Sequence, residues 1–325
     1  MALAAILVAA AAGFAVLNGA NNGSTLVAIA TTSTSLLPVT AIAVLAGGVV
    51  LGPLLLGTAV ATTLSTRLVD ARGPVGEQAF LVGILAAMAV IGLLAWQRLP
   101  SSLTLATIGG LAGAGIASGL HMSWTVAVLA VALAVAVPLV TGVVTFGISR
   151  GLLATGPAMG YRGLDRRRLR WFRDASFALQ ALAYATNDGQ RMLAVLIVAL
   201  RAGWPGDSLD APLYAALALA FALGAVLGTR RMAHGSPAQL APAGTFERSI
   251  ASVMASFAAF SSSLLGIPVS MTQTTSAALV GAHATVGARR VRWEEATKLL
   301  TAWVLTLPAS AAAGAAGSFA LGWVK

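Results

Sequence analysis

Asp188 is the only carboxylate, and Arg191 the only base, in an apolar run from Ala175 to Leu200. A carboxylate at membrane depth costs about 2.5–3.5 kcal/mol on insertion scales, so its default reading is a functional group facing the protein interior. The i,i+3 spacing of Asp188 and Arg191 also suits an ion pair satisfied on its own helix. Taken alone, this stretch leaves the two readings equal. Asn187 sits beside the acid, and Gln190 reads as a polar lining residue or as helix glue. A related cluster, Asn18-Gly19-Ala20-Asn21-Asn22, lies near the N-terminus. Asn21, Asn22, Asn187 and Asp188 are oxygen ligands of the kind that suit Na⁺ or H⁺ as a coupling ion, with Na⁺ expected at Asn21, Asn187 and Asp188. Arg191 either neutralises Asp188 or lends positive charge to a phosphate-like anion.

A second motif also occurs twice. Pro100-Ser101-Ser102-Leu103-Thr104 and Pro268-Val269-Ser270-Met271-Thr272 share P-x-S-x-T, each between an apolar span and a stretch of small residues. Exposed N–H groups at a helix start, with Ser and Thr hydroxyls, form an anion site aided by the positive end of the helix dipole. Ser101, Ser102, Thr104, Ser270, Thr272, Gln273, Gln190 and Arg191 are therefore the candidate substrate-binding residues. The competing reading is that these hydroxyls only cap or glue helices. Asn21 to Pro100 and Asn187 to Pro268 are nearly equal separations, and two ordered motifs at matched spacing favour duplication and a shared site.

The elements that must position these residues follow from composition. The chain has 325 residues, 58% of them hydrophobic and 9% charged, and a mean hydropathy of +0.87. Long apolar segments follow one another, which defines an all-α polytopic membrane protein of about 10–12 membrane segments. The polar interruptions predict broken or re-entrant helices. There is no cysteine, and His121, His234 and His283 form no metal-binding spacing. The net charge of +10 is distributed between spans, as membrane orientation requires, so nucleic acid is not an expected partner. The Arg-rich stretch 150–174 reads as a cytoplasmic loop separating a first transmembrane repeat, 1–149, from a second, 175–325. Walking outward from it places Arg98 inside, both termini outside, and the repeats in opposite orientations, an inverted-repeat plan.

At this point the residues resemble a known family. Thr186-Asn187-Asp188-Gly189-Gln190-Arg191-Met192 is similar to the G-[AT]-N-D-A-Q-K-x-M signature of PiT-type inorganic phosphate transporters, and Gly19-Ala20-Asn21-Asn22 resembles its first G-A-N-D. Leu265 to Gln273 resembles L-G-x-P-V-S-T-T-H, with Leu99 to Leu105 a weaker copy, and Ala302 to Pro308 resembles A-W-x-x-T-x-P. The resemblance spans essentially the whole chain. It implies symport of inorganic phosphate with Na⁺ or H⁺ by movement between two repeats. The chain departs from the pattern at Asn22, where the family has an acid. It also departs at Thr25 (Asn), Tyr184 (His), Leu103 and Met271 (Thr), and Leu105 and Gln273 (His).

The expected function is a secondary phosphate transporter in the cell membrane that needs no cofactor beyond a coupling Na⁺ or H⁺. Alternatives are a transporter of another oxyanion such as sulfate, an uncoupled facilitator, or a non-transporting membrane scaffold. An enzyme is disfavoured by the lone membrane acid, and no G-x-S-x-G or G-x-x-x-x-G-K-[ST] motif occurs. Expected partners are inorganic phosphate, membrane lipid and, as an open option, a second copy in a homodimer.

Overall fold

The computed structural model describes residues 1–31, 36–97, 99, 101–155, 165–204, 211–231, 244–285, 287, 289 and 291–322. Arg98, Pro100, Arg162, Asp207, Asp210, His234 and Arg290 lie outside the described residues. Helix α1 (Ala2–Asn18) passes through a π-helical turn, Gly19–Gly23, directly into α2 (Ser24–Thr31). Then come α3 (Pro38–Leu56), the short α4 (Ala59–Thr62) with a π-helical turn at Thr63–Leu68, α5 (Gly73–Trp96), α6 (Leu103–Ala117) and α7 (Trp124–Thr155). Helix α8 (Arg166–Tyr184) likewise runs through a π-helical turn, Ala185–Gly189, into α9 (Gln190–Arg201). The chain continues with α10 (Ala211–Arg231), α11 (Thr245–Leu264), α12 (Met271–Ala284) and α13 (Trp293–Ala320). Among the described residues β-pairing is limited to an isolated bridge between Val69 and Met122.

Two expectations change. The polar interruptions at Asn18–Thr25 and Tyr184–Gln190 do not break their helices. Neither contains proline, so every backbone N–H can still bond. The strain of burying polar side chains is absorbed by widening one turn, a device common at functional sites. The arginine-rich stretch 150–174 is also less of a loop than expected. Helix α7 runs to Thr155 and α8 begins at Arg166, because Arg, Leu, Trp and Phe there sustain a helix.

Six helical stretches among the described residues are long and apolar enough to cross a membrane: 2–31, 38–55, 73–96, 124–155, 211–230 and 300–320. Helices α6 and α12 have 15 and 14 residues, or about 20 Å of length, less than the roughly 30 Å hydrocarbon core. Both begin at a serine cap. Ser102 Oγ accepts from the Leu105 N–H at 3.3 Å and Ser270 Oγ from the Gln273 N–H at 3.4 Å. The surface is apolar at Leu54, Val128, Leu139, Val143, Leu219 and Val304, while Asn18, Asn22, Gln180, Asn187, Asp188 and Arg191 are buried. This distribution suits lipid outside and polar chemistry inside. The chain is a multi-pass membrane protein.

Packing is reciprocal between the halves. Helix α6 lies along α13, and α12 lies along α7. Small residues set both distances. A Cβ added at Gly113 would stand 1.9 Å from the Ala311 carbonyl oxygen, and one at Gly281 would stand 2.0 Å from that of Gly142. Backbone-on-backbone approach of this kind drives association where lipid supplies no hydrophobic force. Gly113→Val and Gly281→Val are therefore expected to prevent formation of monodisperse protein on size exclusion in detergent. Gly47→Ala, with nothing within 4 Å of its added carbon, is expected to elute as wild type.

Candidate functional site

The two widened turns meet at the centre of the molecule. Asp188 is 0% exposed and Arg191 1%. Asp188 Oδ1 accepts from Asn22 Nδ2 at 2.7 Å and pairs with Arg191 Nη2. The second hydrogen of Asn22 Nδ2 goes to Asn18 Oδ1 at 3.0 Å, which also accepts from the Tyr184 hydroxyl at 2.9 Å. Asn18 Nδ2 reaches the Asp188 backbone carbonyl at 3.4 Å. The first turn thus presents amides to the acid carried by the second. The first turn is also pressed against α10. A Cβ at Gly19 would stand 2.0 Å from the Phe221 carbonyl oxygen of α10.

The helix starts of α6 and α12 adjoin the same stretch. Arg191 Nη1 donates to Thr104 Oγ1 in the first turn of α6. Asn187 is anchored to the connection before α12: its Nδ2 donates to Ser263 Oγ at 3.1 Å and to the Ile267 carbonyl at 3.0 Å, and its Oδ1 accepts from the Val269 N–H at 3.0 Å. Gly266, with φ of 70°, makes the sharp turn that brings Ile267 and Val269 there. Met271, the first residue of α12, lies against Asp188. Ser270 Oγ and Thr272 Oγ1 are 3.0 Å apart. Gln190 Oε1 accepts from the Val60 N–H at 2.7 Å and the Ala61 N–H at 3.3 Å, capping α4.

Four buried polar atoms of this cluster have no partner in the structure: Asp188 Oδ2, Gln190 Nε2, Arg191 Nε and Gln273 Oε1. Leaving a buried polar group unpaired costs roughly 1–3 kcal/mol. Two of the four accept and two donate.

Asn22, Thr104, Asn187, Asp188, Gln190 and Arg191 are thus drawn together, with Ser270, Thr272 and Gln273 in the adjoining first turn of α12. Ser102 serves as the cap of α6, and Ser101 is half-buried just before it. Asn21 turns aside; its Nδ2 donates to Asn22 Oδ1 at 3.3 Å and its carbonyl accepts from Thr25. Asn18, Tyr184 and Ser263 complete the network and are additions to the sequence reading. Asn18 had a legible signal, four residues before Asn22 on the same helix face. Ser263 had none. Outside the spans, Arg72 hydrogen-bonds Asp70 at 2.7 and 3.0 Å and holds its carboxyl below the usual range.

The pattern of the phosphate transporter family matches residues 18–155 and 161–314. This chain belongs to that family. Relatives in the phosphate transporter family span its full length. A probable low-affinity inorganic phosphate transporter of Rhizobium meliloti is 28% identical, covering 97% of this chain and 95% of the relative. One from Mycobacterium bovis is 32% identical over 98% of this chain and 77% of the relative, and one from Bacillus subtilis is 27% identical over 99% and 98%. The fold is that of a solved sodium-dependent phosphate transporter, with a TM-score of 0.81, 16% identity and complete coverage of both chains. The family and the fold are those of transporters, not enzymes.

Proposed function

We propose that this protein carries inorganic phosphate across the cell membrane by alternating access, coupled to a cation. The observation that carries this reading is the Asp188–Arg191 pair, wholly buried and flanked by the starts of α6 and α12. Two helix N-termini and a guanidinium suit an oxyanion. Thr104, Ser270, Thr272, Gln273, Gln190 and Arg191 would contact it, with Ser101 and Ser102 at the entry to α6.

One guanidinium cannot neutralise two anions. Phosphate that draws Arg191 toward itself leaves Asp188 uncompensated, and the acid then takes up a cation. Binding of phosphate and binding of the cation thereby favour each other, which is the linkage a symporter needs. With Asn22 an amide rather than an acid, H⁺ at Asp188 is the coupling ion this site supports best; Na⁺ held by Asp188, Asn187 and Asn21 is the second reading.

Unpartnered acceptors favour phosphate over sulfate. Asp188 Oδ2 and Gln273 Oε1 need a donor. Hydrogen phosphate carries a P–OH that can donate to one of them, whereas sulfate near neutral pH has no hydrogen to give. In the cell membrane we place the arginine-rich connection on the cytoplasmic side.

Purified protein in proteoliposomes should take up labelled phosphate saturably when an inward H⁺ gradient is imposed, and excess sulfate should compete poorly. Stimulation by a Na⁺ gradient alone would select Na⁺. Uptake insensitive to both gradients would select the uncoupled facilitator. Absence of saturable phosphate binding that depends on Ser102 and Ser270 would select the scaffold.

A further inference from the structure

A polar seam runs from the buried site to the arginine-rich face. Three helices that carry site residues lead into it: α2 follows Asn22, α8 precedes Asn187, and α11 ends at Ser263. Helices α8 and α11 lie together and run in the same direction. Phe172 meets Phe246 at one end, with ring centroids 5.5 Å apart, and Asn187 meets Ser263 at the other. The sixteen residues from Phe172 to Asn187 span about 22 Å.

Between these ends, Arg173, Ser176 and Gln180 of α8 face Arg248, Ser249 and Ser252 of α11 around a cavity of about 20 Å³. Ile29 and Ala30 of α2 close its third side. That volume holds about one water molecule, so the seam is shut in this conformation. Two contacts bound it. The Phe172–Phe246 pair joins the two helices at the outer end, next to the lining residues Arg173 and Thr245, and Gln180 Nε2 donates to Thr275 Oγ1 of α12 at 2.9 Å at the inner end. Gln180 is 0% exposed, and its Oε1 has no partner. Beyond the inner end the lining stays polar on α11, with Ser256 buried one turn beyond Ser252. Arg248 forms no salt bridge among the described residues. The Ser176, Ser249 and Ser256 hydroxyls bond carbonyls of their own helices and suit close helix packing; what packing does not call for is the buried Gln180 amide with its unpaired oxygen and two arginines beside it.

We propose that this seam is the passage by which phosphate moves between the central site and the arginine-rich face. Arg248 attracts the anion at the mouth, beside an Arg173 that carries Asp174 as its counter-ion, and Gln180 is the last gate before Asn187. Its unpaired Oε1 accepts the P–OH of passing hydrogen phosphate. The proposal rests on the transport reading above and adds the route to it.

The chain has no cysteine, so Ser252→Cys introduces a single thiol. Its reaction with an anionic and a cationic methanethiosulfonate of similar size is followed in neutral-lipid proteoliposomes, with the reagents supplied to both faces. The anionic reagent should react about 10-fold faster, since a cleft lined by one sign of charge concentrates counter-ions. Phosphate should slow the reaction, and labelling should abolish the uptake shown by the unlabelled variant. Adding Phe246→Ala should speed labelling by both reagents, and adding Arg248→Gln should remove the preference for the anion. Equal rates for the two reagents overturn the proposal. So does a thiol that stays unreactive even with Phe246→Ala, or full labelling with uptake intact. The transport reading fails separately, if the wild-type protein takes up no phosphate; the labelling rates and their charge preference are read without uptake.

Discussion

Asp188→Asn is expected to destabilise the protein by about 3–5 kcal/mol, the cost of leaving one member of a buried ion pair uncompensated. The substitution keeps the shape of the side chain and removes only its charge. Arg191 then retains Thr104 as its partner and holds a full positive charge in a site that is 1% exposed or less. Arg191→Gln should cost a similar amount by leaving the carboxylate with the Asn22 amide alone. The double variant, Asp188→Asn with Arg191→Gln, removes both charges and should recover most of the stability, because two amides at this spacing can bond to each other and to Thr104. Phosphate uptake should stay at background in all three. Thermal unfolding in detergent, set beside proteoliposome uptake, separates the two effects. A double variant no more stable than the singles would mean that the pair is not the main source of the cost. A double variant that still transports against a gradient would remove Asp188 from coupling.

That dissociation answers the question the sequence left equal, whether Asp188 and Arg191 form a working site or a pair satisfied on one helix. The geometry leaves room for both descriptions in the same atoms. The two residues do pair at i,i+3, yet the pair is also gripped by Asn22 from the first half of the chain and by Thr104 from α6. Residue type and spacing were enough to find Asp188, Arg191, Asn22 and both serine caps, because a charge inside an apolar run is too costly to persist without a role, and a proline followed by serine marks a helix start. The caps also show the limit of that logic. Ser102 and Ser270 satisfy the helix starts they precede, so the local role is the one the geometry displays, and it is compatible with the anion site proposed above.

What the sequence could not show was three-dimensional. Nothing in an apolar pattern distinguishes a helix that breaks from one that widens into a π turn. Ser263 lies in a run of three serines, and only the turn at Gly266 reveals that it faces Asn187. Gln180, an amide in the same apolar run, acquires meaning only from its place between α8, α11 and α12. Polar residues at helix ends and near charges were legible, whereas those placed by packing between distant helices were not.

Asn22→Asp should make transport depend on Na⁺. Asn22 Nδ2 stands 2.7 Å from Asp188 Oδ1, and in place of that hydrogen bond the variant sets two carboxylates against each other. At an effective dielectric constant of about 20, two like charges this close repel by on the order of 5 kcal/mol. Arg191 can offset only one of them. The substitution also withdraws the amide that Asn18 Oδ1 accepted, freeing one lone pair of an oxygen that still accepts from Tyr184. Two carboxylates and an amide oxygen form a site of hard ligands suited to a small cation. Uptake by Asn22→Asp should therefore be several-fold faster in Na⁺ than in choline at the same pH, a ratio the wild-type protein should not show. Asn22→Ala, which removes the amide donor without adding charge, should slow uptake equally in both salts. Equal rates for Asn22→Asp in Na⁺ and choline would rule out the charge deficit as the source of cation demand. A ratio that rises only with the added acid would show that the residue at position 22 sets the choice of coupling ion.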